Sequence, residues 1–172
     1  MPIKINYSSK PRNKSLTNLV LFVDHNFNIS GLKKIIANTE FSKILDLLKT
    51  SDLKKEILFF QINSKKKIFL VSLKKDMKTS EVENLGAKFH DYINYDNKND
   101  YFINIDTILS NIKNFAAYFM HGLKLKSYEF NIYKSQKDKR LVMINVFGDK
   151  NKIPAQNQLR FKALEEGSFF AR

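Results

Sequence analysis

Apolar positions along the chain fall into two kinds of run, and the switching between them outlines a layered fold. Ile3 and Ile5 alternate with Lys4 and Asn6, the period of two expected of an edge strand with one face buried. After a polar stretch containing Pro11, Leu19 to Val23 is continuously apolar, as a strand covered on both faces should be, and Asp24-His25-Asn26 ends it. Phe41, Ile44, Leu45, Leu47 and Leu48 then form a helical stripe. The runs Ile57 to Ile62 and Lys67 to Leu73, separated by Asn63-Ser64-Lys65, read as a hairpin, so the sheet is expected to be mixed.

The second half repeats the alternation. Thr79 or Ser80 is placed to cap a helix with Glu81 and Glu83 in its first turn, where the helix dipole favours acids, and a stripe at Val82, Leu85, Phe89, Tyr92 and Ile93. Tyr101 to Ile105 predicts a short strand. Asp106 or Thr107 is then expected to cap an amphipathic helix with Ile108, Ile112, Phe115, Ala116, Phe119, Met120 and Leu123 on one face. Leu141 to Phe147 predicts a strand closed by Gly148-Asp149, and Pro154 stands where a first helical position tolerates proline, opening a last helix. Strands alternating with helices around a hairpin predict an α/β domain of three layers, a mixed sheet with helices on both faces. The stripe over Ala163 to Arg172 stops in mid-pattern with no glycine cap, proline or polar tail, which raises the expectation of a second domain beyond it.

Composition narrows the function classes. A chain of 172 residues suffices for one domain that buries roughly 70% of the surface its unfolded form exposes. It has no cysteine, so disulfides and thiolate metal sites are excluded. The N-terminus lacks the apolar core of a signal peptide, and no apolar run approaches the ~20 residues of a membrane span, so no membrane partner and a cytoplasmic location are expected. The formal net charge of +13 raises a nucleic-acid-binding face as one reading, through phosphate neutralisation and counterion release. Against it, the basic residues are nearly all lysine. Only Arg12, Arg140, Arg160 and Arg172 offer a bidentate fork, and the lysines are spread along the chain rather than aligned on one helix.

No catalytic constellation emerges. His25, His90 and His121 are far apart and form no HExxH-type spacing; His25, just after a strand, could lie near a switch-point crevice or be an ordinary loop histidine. Asp46, Asp52, Glu56, Asp91, Asp96, Asp100, Asp106, Glu165 and Glu166 are the acidic candidates for metal pairs. Of these, Glu165 and Glu166 are adjacent on a helix and point to different sides, and Asp96 and Asp100 flank a loop whose chemistry is that of turns. Five scattered glycines build no phosphate loop, no GxSxG elbow is present, and no SxxK stands out in a chain this rich in lysine. No catalytic, cofactor-binding or metal-binding residue is therefore assigned to this chain.

Two stretches carry a resemblance. Gly122, Leu123, Leu125, Tyr128, Phe130, Tyr133 and Lys134 match a helix ending in Glu-Gly-Leu-x-Leu-x-x-Tyr-x-Phe-(Asp/Asn)-x-Tyr-Lys, and Ala163, Glu166, Gly167, Ala171 and Arg172 match a linking helix that ends in Arg-Asp-Leu-x-Asn. In these the chain resembles the N-terminal domain of the leucyl aminopeptidase (cytosol aminopeptidase) family. It departs at His121, where the family writes Glu, and at Ser72-Leu73-Lys74-Lys75, where the family writes a Gly-Leu-Gly-Lys turn. The resemblance implies a macro-domain-like α/β/α fold over 1–153, with 154–172 starting a linking helix to a C-terminal catalytic domain of the same chain. It further implies a parent peptide hydrolase with two divalent metals, zinc or manganese, in that other domain around Asn-Thr-Asp-Ala-Glu-Gly-Arg, a string absent here. No cofactor is implied for this part, whose role would lie in a homo-hexameric assembly and in limiting access to the active sites. Some family members contact DNA through surfaces that include this domain. The rivals are a lysine-surfaced nucleic-acid module and a macro-like nucleotide pocket. Tyr128, Phe130 and Tyr133 are open to ligand stacking or to core packing, the second being the expectation.

Overall fold

Most apolar runs of the chain become strands or buried helix faces in the computed structural model, which describes residues 2–11, 16–96, 98–128, 140–154 and 158–170. The strands are β1 (Ile3–Ser8), β2 (Asn18–Asp24), β3 (Ile57–Gln61), β4 (Lys67–Leu73), β5 (Asp100–Asn104) and β6 (Val142–Phe147). The helices are α1 (Asn38–Lys49), α2 (Thr79–Tyr95), α3 (Phe115–Ser127) and α4 (Gln158–Phe170), with short 3-10 turns at Ser30–Lys34 and Ile105–Thr107. The sheet order is β1-β6-β5-β2-β4-β3, parallel throughout except for the antiparallel β3–β4 hairpin. The sheet is mixed, as the hairpin spacing predicts. Asn63 closes that hairpin by accepting the amides of Lys65 and Lys66 on its side-chain oxygen at 2.9 Å.

The two-residue period of β2 sorts its side chains into two cores. Val20 and Phe22 join Phe69, Val71, Tyr101, Ile103, Ile144 and the apolar faces of α2 and α3 on one side. Leu19, Leu21 and Val23 join Ile68, Leu70, Phe102, α1 and the turn at Leu32 on the other. The fold is thus a three-layer α/β/α arrangement. No described helix is long and apolar enough to cross a membrane.

Three expected boundaries shift. Lys78, not Thr79 or Ser80, is the N-cap of α2, and Glu81 supplies the capping contact by accepting the Lys78 amide at 2.7 Å. The helix expected from Asp106 or Thr107 begins only at Phe115, after Asn114 in a left-handed conformation at φ 62°. Thr107 instead bridges the sheet: its hydroxyl accepts the amide of Phe22 and donates to the carbonyl of Asn104, each at 2.8 Å. Ile108 and Ile112 still pack against the core, so their apolar spacing reports burial without helix. The last helix starts at Gln158, while Pro154 is buried ahead of it. The turn at Ser72–Lys75, where the two family glycines are lacking, is made with no positive φ.

Candidate functional site

The seat of α4 on α3 brings together three side chains that lie far apart in sequence. Glu165 projects from α4 toward α3 and is buried, although it sits in a helix whose Leu164 is turned out to solvent. Its carboxylate receives Lys124 Nζ, and its Oε1 lies 3.4 Å from Nδ1 of buried His121. One turn earlier on α4, Phe161 packs on the His121 ring at 4.7 Å and edge-on to Tyr118 at 5.3 Å. A cavity of about 340 Å³ opens beside them, walled by Ile3, Ile5 and Tyr7 of β1, Met120 of α3 and Pro154. A polar residue on the inward side of α4 is thus satisfied by two partners on a different helix, which fixes where α4 can sit.

Burial alone would raise the Glu165 carboxyl, but hydrogen bonds from His121 and Lys124 outweigh it and hold the group below the usual carboxylate range. A depressed native pKa contributes stability fully above the unfolded value, near ~4.3, and that stability is lost as pH falls through the native value. Acidification is therefore expected to loosen α4 before the sheet. Glu165→Gln, which keeps the shape but not the charge, is expected to speed hydrogen exchange of α4 amides by roughly tenfold near neutrality, about 1.4 kcal/mol. It should also flatten the acid dependence of that exchange. Exchange in α4 that is the same in both proteins would remove Glu165 from this role.

The remaining candidates are dispersed. His25 is exposed in the turn after β2, and His90 is buried on α2. Asp46 pairs with Lys49 at 2.8 Å, and Asp52 accepts the Lys54 amide. Glu56 binds Lys88 and Lys74, Asp91 lies 3.8 Å from Lys126, and Glu166 is exposed, 3.9 Å from Lys162. Asp96 pairs with Lys67 at 2.6 Å and accepts from the Tyr101 hydroxyl at 3.2 Å, while Asp100 is exposed at the start of β5. Among the described residues no three His, Asp or Glu side chains converge as a cation cage. Tyr128 is half-buried at the end of α3; Phe130, Tyr133, Lys134, Ala171 and Arg172 lie outside the described residues.

The crevice above the C-terminal ends of the parallel strands, where α/β folds place ligands, is stitched by carboxylates. Asp24 accepts the amides of Asn26 and Asn28 at 3.0 and 2.9 Å, and Asp106 accepts the amide of Asp149 at 2.8 Å. These three loop amides are therefore already turned onto acidic oxygens.

No protein-family model and no curated protein matches the chain. Among solved structures, a tomato leucine aminopeptidase mutant superposes with a TM-score of 0.65 at 15% identity, covering 96% of this chain and 36% of that one. The bottromycin maturation enzyme BotP, solved with manganese, gives 0.54 at 11% identity over 91% of this chain and 30% of that chain. The macrodomain of Thermus aquaticus DarG gives 0.56 at 10% identity over 86% of this chain and 99% of that one. The chain thus spans about a third of the length of the two enzymes and nearly all of the macrodomain. At these identities the likeness is one of fold: the chain has a macro-domain-like α/β/α architecture that is similar to part of leucine aminopeptidase and of BotP.

Proposed function

We propose that this chain is the N-terminal, non-catalytic domain of a two-metal leucyl-aminopeptidase-like protein, with α4 as the start of the helix that leads to a catalytic domain. The observation that carries this reading is coverage. The superposition on tomato leucine aminopeptidase takes in 96% of this chain, against 86% for the macrodomain, while leaving most of the enzyme unmatched. The seat of α4 supports it, because a linking element must hold a fixed direction to place one domain on another. His121, which replaces the Glu of the family pattern, supplies one partner of that seat.

On this reading the parent hydrolyses N-terminal residues from peptides, with its metals activating water and polarising the scissile carbonyl in the other domain. This domain contributes to a hexameric assembly and limits access to the active sites. The purified 172-residue chain, supplied with millimolar manganese or zinc, is expected to show no hydrolysis of leucine p-nitroanilide above the metal-only rate. Turnover proportional to protein concentration would overturn the reading.

The lysine surface gives less support to a nucleic-acid module. Lys66 pairs with Glu40, Lys67 with Asp96 and Lys124 with Glu165, while Lys74 and Lys88 share Glu56. Filter binding of a DNA duplex across a salt series is expected to show no retention at moderate salt; affinity with a steep negative slope would favour the module instead. The carboxylates of Asp24 and Asp106 weigh against a nucleotide pocket, and ADP-ribose at millimolar concentration is expected to leave the melting temperature unchanged.

A further inference from the structure

The sheet ends at β3, and no described strand pairs with its outer edge. The register decides which main-chain groups face outward there. Glu56 accepts the Ser72 amide at 2.8 Å, and Ile62 donates to the Lys66 carbonyl at 2.9 Å. Hydrogen-bonded pairs with β4 therefore fall on the even positions, and the amides and carbonyls of Ile57, Phe59 and Gln61 point away from the sheet. The Ile57 carbonyl accepts the Tyr92 hydroxyl at 3.0 Å, which leaves the outward groups of Phe59 and Gln61 for an added strand.

Beside this edge runs an apolar groove of about 490 Å³, floored by Phe59, Phe69, Tyr92 and Tyr95. Two of these are far more exposed than their size favours: Phe59 is 51% exposed in mid-strand and Tyr95 is 95% exposed. Phe59 rests on Phe69 at 5.8 Å and on Tyr92 at 6.1 Å, so its ring is held in place rather than loose. A strand edge with free main-chain groups and an adjoining pocket is the arrangement that peptide-binding sheets use, the edge giving affinity and the pocket selectivity.

Charge selects the occupant. Lys54 and Lys55 precede β3, and Lys65 follows it at the hairpin tip; all three are exposed. Lysines flanking an edge strand repel a second copy of the same edge, and a chain of net charge +13 pairing with itself sets like against like. A nucleic acid fits less well, since the outward main-chain groups of Phe59 and Gln61 carry the spacing of a strand ladder, which only a peptide backbone can complete. We propose that β3 is a docking edge for an extended acidic segment of a partner protein. The segment adds as a strand beside Phe59 and Gln61, seats one large apolar side chain between Phe59 and Tyr95, and brings its acidic residues to Lys54, Lys55 and Lys65.

The test uses a fluorescein-labelled peptide of about six residues, the length of an ordinary strand, alternating glutamate with valine and phenylalanine. It is titrated with the 172-residue chain and followed by anisotropy. Saturable binding is expected, weakened at least about tenfold, or about 1.4 kcal/mol, by N-methylation of alternate peptide amides and by exchanging glutamate for lysine. Phe59→Pro removes an outward amide and no ladder bond, so it should weaken binding similarly, with some loss of melting temperature from the ring that no longer rests on Phe69 and Tyr92. Tyr95→Ala should weaken it at an exposed position with no cost to folding. The proposal is overturned by absence of binding at millimolar chain, or by binding indifferent to N-methylation, an outcome that does not depend on any variant folding. It is equally overturned if single-stranded oligothymidylate binds more tightly and displaces the peptide.

Discussion

Gly122→Ala is expected to lower the melting temperature by about 6–12 °C, the consequence of about 3 kcal/mol of overpacking. A Cβ at Gly122 would stand 1.9 Å from the carbonyl oxygen of Glu83 and 2.7 Å from its Cα, and one at Gly86 would stand 2.0 Å from the carbonyl oxygen of Phe119. Both obstacles are backbone, so no rotamer change relieves them and α2 and α3 must separate. The two glycines interlock, each admitting the main chain of the other helix at a position three residues before that helix's own glycine. The sign makes the test sharp. Ala at an unopposed helical position stabilises by about 1 kcal/mol relative to Gly, so a Gly122→Ala protein as stable as its parent would mean that the helices do not meet this closely. The double variant with Gly86→Ala should cost less than the sum of the two, because helices already parted by one methyl have room for the other.

Phe119→Ala is expected to cost about 4 kcal/mol, or roughly 8–16 °C in melting temperature. Phe119 is fully buried between α2 and the sheet. Its ring meets Phe22 edge-on at 5.3 Å, lies 5.9 Å from Phe89 and stacks on Phe115 at 6.4 Å. Truncation leaves a void lined by three other rings that are themselves locked in place, so little of it can collapse. Denaturant unfolding should show a lower midpoint with an unchanged slope, marking a loss of native packing and not a change in the unfolded chain. A loss under about 1 kcal/mol would show that the aromatic core repacks around the gap.

The strands were legible because their apolar runs are short, β-branched or aromatic, and bounded by Asn, Asp, Lys or Gly. The parallel direction of most strands follows from helices falling between them, whereas their order, which sets β1 beside β6, is written in no local pattern. The start of α3 was not, because Ile108 and Ile112 keep a helical spacing while Asn104 and Thr107 divert the backbone into a 3-10 turn, with Asn104 accepting the Asp106 amide at 3.0 Å. Side-chain hydrogen bonds to the main chain compete with helix formation there, and periodicity does not see them. Glu165 and His121 stood in the sequence as separate candidates. What joins them is the docking of α4 on α3 across 44 residues, which no local pattern encodes. One signal was available in the departure at His121 from the Glu of the family pattern. Phe59 escaped notice for the opposite reason: inside the continuous apolar run Ile57 to Ile62 it reads as core, and only its place on an edge strand beyond the cover of α2 leaves it exposed.

The proposal for α4 is that it begins a connection to a catalytic domain. The sequence of the native transcript beyond the codon for Arg172 tests it most directly. The account expects the frame to continue into Asp-Leu-x-Asn and, further on, a metal-ligand string of the Asn-Thr-Asp-Ala-Glu-Gly-Arg kind. A stop codon directly after Arg172 would contradict it.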